Sequence, residues 1–107
     1  MSLHYAYEKL DSAIHTLATN PYEIKSRLHG AWSHMSTLST ESHNLTQSMI
    51  DKFSTIEKRL TSATIYGDKD IIQESIDKMT NEEASEIAKD IFALYREVLS
   101  VYEEIGN

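Results

Sequence analysis

An all-α fold is predicted, a compact up-and-down bundle of four main helices plus one short helix, and three observations predict it. Apolar residues recur at alternating spacings of three and four through most of the 107 residues, the period of a helix with one buried face. One proline and three glycines leave little turn material for a sandwich or barrel. Residues that cap helices also stand just before several of the apolar stripes. The length suits one domain over 1–107, enough for a single core.

The first helix is predicted over 3–19. Ser2 can cap it, and Leu3, Tyr7, Leu10, Ile14 and Leu17 form a narrow apolar seam flanked by Ala6 and Ala13. Asn20-Pro21 marks a boundary, since proline suits the first position of a helix, where its missing N–H is not needed. Asn20 and Glu23 have capping-box spacing. A second helix is therefore expected over 21–38, with Ile24, Leu28, Ala31, Trp32, Met35 and Leu38 on one face and Gly30 as a weak point costing about 1 kcal/mol relative to alanine.

Leu45, Met49, Phe53, Ile56 and Leu60 build the third helix, over 43–62. "TSATIYGDKD" reads as a loop, after which Asp68 or Asp70 caps a short fourth helix over 70–79 carrying Ile72, Ile76 and Met79. "TNEE" from Thr80 is a second capping box. It opens a long helix over 81–105, closed by Gly106, whose apolar stripe is wide. That width makes it either the central helix of the bundle or one that also packs on a second copy. Connections of about 2 to 8 residues imply that sequential helices run antiparallel. Leu10, Ile14, Leu28, Trp32, Phe53, Ile56, Ile91 and Leu94 are the expected core.

Composition bounds function. With no cysteine, disulfides and thiolate metal sites are excluded. The N-terminal stretch lacks the pattern of a signal peptide, and no apolar run approaches the roughly 18 residues that cross a bilayer. A cytoplasmic protein with no membrane partner is expected. Residues 1–60 carry six acids and six bases, whereas 61–107 carry eleven acids and four bases, so the net charge of −7 resides wholly there. Such a surface repels phosphate backbones and favours a basic protein partner; no nucleic acid is expected. Small acidic helical proteins include antitoxins, immunity proteins and phage-encoded inhibitors, an analogy that implies a bacterial or phage source and a regulatory role through protein contact.

Three groups of residues carry candidate chemistry. Glu82, Glu83, Glu86 and Asp90 cluster at the start of the last helix. They complement its macrodipole and are the candidate partner-binding surface. His4, Glu8, Asp11 and His15 form a stripe on one flank of the first helix. Imidazoles and carboxylates one turn apart can share a divalent metal, so they are the alternative metal ligands, although no cofactor is required. Arg27 and His34, in "RLHGAWSH", lie seven positions apart on one helix flank, about 10 Å apart along the axis.

That last spacing resembles the Arg-X4-6-His motif of the HEPN superfamily, small helical bundles many of which cleave RNA as dimers without a metal. The resemblance covers eight residues and implies that Arg27 would stabilise phosphate charge while His34 acts in acid–base chemistry. Leu28 departs from the family, which favours a polar residue after the arginine, and the pair lies in the second helix instead of late in the domain. Contact with a protein partner is the principal expectation, and a HEPN-like ribonuclease or a metal-binding bundle the alternatives. No nucleophile elbow, phosphate loop or Ser–His–Asp arrangement appears. Among the six tyrosines, Tyr7, Tyr95 and Tyr102 lie on apolar stripes, while Tyr5, Tyr22 and Tyr66 are expected at the surface, as are His29 and His43. A homodimer is a further expectation.

Overall fold

Five helices are present among the described residues: α1 (His4–Thr19), α2 (Ile24–Met35), α3 (Gln47–Leu60), α4 (Ile71–Lys78) and α5 (Asn81–Glu104). The computed structural model describes residues 3–38, 44–64, 67 and 70–104. No strand occurs among them, and none of the described helices is long and apolar enough to cross a membrane. Ser2, His43, Tyr66, Asp68 and Gly106, singled out in the sequence, lie outside the described residues, as does the expected helix end at 105.

Local chemistry sets the helix ends. Asp70 Oδ1 accepts the Ile72 and Gln73 N–H groups at 2.9 and 3.4 Å, so Asp70 caps α4. Thr80 and Glu83 form the expected capping box in both directions: the Glu83 N–H donates to Thr80 Oγ1 at 3.1 Å and the Thr80 N–H to Glu83 Oε1 at 3.0 Å. Thr46 caps α3 by accepting the Met49 N–H.

Several expected boundaries shift, among them the end of α3, which comes at Leu60 and not at 62. Asn20 Oδ1 accepts the Tyr22 N–H at 2.9 Å, an Asx turn that engages the side chain two residues on, so no capping box forms with Glu23. Glu23 instead stands extended as the last residue before α2, without a side-chain cap, and α2 starts at Ile24, not at Pro21. It also stops at Met35; Leu38 reaches the core from the following turn, its N–H donating to the Met35 carbonyl. Asn44 has φ 56°, a left-handed conformation incompatible with continuing a helix. Consequently α3 starts at Gln47 rather than 43, and Leu45 packs from the loop.

Cross-helix contacts define the topology. His4 meets Tyr102 and Asp11 meets Tyr95, so α1 and α5 are antiparallel. Lys52 pairs with Glu97 and Arg59 with Asp90, so α3 and α5 are antiparallel as well. Tyr5 bonds to Thr37 and Arg27 to Leu17, which sets α2 antiparallel to α1. The four main helices therefore alternate in direction, with α4 inserted between α3 and α5. α5 is central, packing on α1, α2 and α3, while α4 packs on α2 and α3. Trp32 and Phe53 stack across α2 and α3 with ring centroids 5.6 Å apart.

Seven of the eight expected core residues are buried. Ile14 is the exception: it is half-buried at the edge of α1 that borders α5. Gly30 is not merely a weak point, because a Cβ there would lie 3.0 Å from the Thr16 methyl; its bareness permits close approach of α1 and α2.

Candidate functional site

Arg27 is half-buried and turned onto α1. Its Nη1 donates to the Leu17 carbonyl oxygen at 2.8 Å, and its Nε is buried without a partner. α1 has no basic residue in its own last turn, so Arg27 supplies the positive charge that the carbonyl end of that helix favours. His34 is exposed near the end of α2. The guanidinium of this pair thus serves the α1–α2 contact.

The stripe on α1 is divided among different partners. His4 Nε2 lies 3.0 Å from Glu8 Oε1, and His4 Nδ1 lies 2.9 Å from the Tyr102 hydroxyl. Asp11 Oδ1 accepts the Tyr95 hydroxyl at 3.0 Å, and His15 lies against Thr19. Among the described residues, no three His, Asp or Glu side chains converge as metal ligands. Burial, together with the bond to the Asp11 carboxylate, pushes the Tyr95 hydroxyl up to about 12, so it stays a donor at neutral pH.

Three of the four clustered acids on α5 are engaged within the chain. Glu86 and Asp90 each lie 3.5 Å from the Arg59 guanidinium. Glu83 closes the capping box, and the backbone N–H of Thr80 holds its carboxyl below the usual range. Glu82 is exposed at the same helix start. Arg59 takes up Glu86 and Asp90, and Lys58 and Lys78 line the same shallow pocket as Glu83.

Two other surface expectations change. Tyr5 is half-buried, its hydroxyl donating to Thr37 Oγ1 at 2.8 Å, whereas Tyr22 is 69% exposed. His29, expected at the surface, is half-buried and lies 3.9 Å from Asp70, the cap of α4. Tyr7, Tyr95 and Tyr102 do occupy the core edge, all half-buried.

The surface that the sequence did not single out is the seam between α1 and α5. Tyr7 stacks on Tyr102 at 4.7 Å and on Tyr95 at 6.2 Å between centroids. Further along, Ile14, Leu17 and Ala18 of α1 line a shallow groove with Ala88, Lys89 and Phe92 of α5. Phe92 is 47% exposed, with the Arg96 guanidinium 5.9 Å from its ring centroid. Phe92 lies about 100° around α5 from Ile91, off the stripe that marks the core, and its signal was one more apolar residue beside an already wide stripe. No family model, curated protein or solved structure matches this chain.

Proposed function

We propose that this chain acts by protein–protein contact and not by catalysis, with the α1–α5 face as its docking surface. The observation that supports this reading best is Phe92, a large aromatic residue 47% exposed in a groove floored by Ile14, Leu17, Ala18 and Ala88. Apolar residues contiguous across two helices and rimmed by charge have the composition of an interface. Aromatic residues at the centre of such a patch commonly carry most of the binding energy. The use of Arg27 on the Leu17 carbonyl favours contact over the ribonuclease alternative. A regulatory, inhibitor, antitoxin or immunity-like role, exercised in the cytoplasm of a bacterial or phage-infected cell, belongs to the same proposal.

The net charge of −7 favours a second surface for a basic partner, the flank of Glu82, Glu83, Glu86 and Asp90, acting mainly on association rate. The test of the docking surface is site-specific photo-crosslinking in cells. A photoreactive phenylalanine analogue at position 92 should give a discrete adduct, and the same analogue at Glu57, exposed on α3, should give none. Equal or absent labelling at both positions would refute the reading.

A further inference from the structure

The geometry points to a binding site for an oxyanion of the phosphate class, in the pocket between the end of α3, α4 and the start of α5. It is independent of the α1–α5 docking surface. Its centre is Ser75, the one buried polar residue among the described residues, at 3% exposure. Serine and threonine in helices commonly return their hydroxyl proton to the carbonyl four residues back, and Thr19, Ser33, Thr55 and Thr61 do so here. Ser75 does not. Its Oγ accepts the Ala63 N–H at 3.0 Å, and its own proton meets no acceptor among the described residues. A buried hydroxyl with an unspent proton is a donor held ready for a ligand.

Ser75 lines a pocket of about 310 Å³ together with Lys58, Arg59, Lys78 and Glu83. Neither lysine side chain makes an ion pair or hydrogen bond among the described residues. Arg59 lies 3.5 Å from Glu86 and from Asp90, beyond the roughly 2.7–2.9 Å of a charge-assisted hydrogen bond, so those acids offset its charge without saturating its N–H groups. Glu83 is the one carboxylate in the lining, and one of its oxygens is taken by the Thr80 N–H. Two ammonium groups and a hydroxyl therefore remain against one carboxylate. At neutral pH a phosphate group carries a charge of about −1.5 to −2 and three strong acceptor oxygens, one for Ser75 and one for each lysine. Met79 and Ile87 complete the wall and offer an apolar surface to the organic part of a phosphomonoester. A single compact anion meets this local surplus, whereas a long polyanion meets the net charge of −7.

An NMR titration of the isotope-labelled full chain tests the inference, with inorganic phosphate and phenyl phosphate as probes and sodium chloride holding the ionic strength constant. The probes should cause saturable shifts centred on the Ala63 and Ser75 amides, and chloride alone should not. Lys58→Gln and Lys78→Gln, at exposed positions, should melt like the wild type and each weaken binding by about two- to fivefold. Glu83→Gln keeps the capping box, since glutamine serves at that position as well, and should tighten binding by a similar factor. Tighter binding of phenyl phosphate than of inorganic phosphate supports an ester as the natural occupant, and the reverse order supports the free ion. Absence of saturable shifts, shifts centred away from Ala63 and Ser75, or an affinity unchanged in both lysine variants overturns the inference.

Discussion

Arg27 shows how one residue can carry a catalytic signature in sequence and a packing role in three dimensions. Its bond to the Leu17 carbonyl is charge-assisted and partly shielded from water, and such bonds contribute about 1.5–3 kcal/mol. Arg27→Ala is expected to lower stability by about 1–2 kcal/mol, because removal of the buried, unpartnered Nε offsets part of the loss. His34→Ala, at an exposed position, should change stability by less than about 0.5 kcal/mol. Urea denaturation of the two single variants measures both. Glu97 is a residue whose protonation bears on acid stability. Its bond from Lys52 Nζ at 2.7 Å is the leading cause that holds its carboxyl below the ordinary value. A carboxyl lowered on folding adds stability that is present above about pH 4.5, its ordinary value, and is lost as pH falls through the lowered native value. Glu97→Gln should therefore lower stability at pH 7 and narrow the gap between pH 7 and pH 3, as measured by urea melts at the two pH values.

At the scale of elements, the helices whose caps match the sequence pattern begin where their caps stand. Thr80 and Glu83 satisfy each other's backbone N–H groups at the start of α5. Thr80→Ala removes one of these bonds and is expected to cost about 1 kcal/mol, read as a fall in melting temperature of several degrees for a domain of this size. α2 behaves differently, because the Asn20 side chain closes an Asx turn instead of a cap, and Glu23 is left uncapped. The sequence pattern of the two sites is alike. What differs is where the acceptor oxygen finds its donor, and that depends on the backbone path from α1 into α2. At the other end of the same helix, Leu38 is buried although it lies outside α2, so a shared apolar stripe overstated the helix length by three residues.

For the whole molecule, α5 organises the core. Ala84, Ile87, Ile91, Leu94 and Val98 are buried along it, and it packs against α1, α2 and α3. Ile91 is fully buried near the middle of that row, so Ile91→Asp places an unpaired carboxylate among apolar side chains, at a penalty of several kcal/mol. Against the roughly 5–15 kcal/mol that hold a domain together, the expected outcome is loss of cooperative unfolding by circular dichroism. A variant with a wild-type melt would show that α5 does not bury this face. The same helix presents Phe92, Arg96 and Lys89 on the other side of the α1 contact, which is how one element serves both the core and the proposed interface.

Periodicity determined the fold class, the five helices and seven of the eight named core positions, because a buried helical face must repeat every three or four residues whatever it packs against. Local capping chemistry determined the start of α5 and narrowed that of α4 to Asp68 or Asp70, because donor and acceptor lie within three residues of each other. Tertiary structure alone decided the rest. The division of His4, Glu8 and Asp11 between one another and two tyrosines of α5 depends on which helix lies alongside α1. So do the half-burial of Ile14, the engagement of Glu86 and Asp90 by Arg59, and the seam that leaves Phe92 exposed. The physical reason is that periodicity states which face of a helix is apolar but not how much of that face its neighbours cover. The uncovered remainder, where a partner can bind, appears only when the helices are assembled.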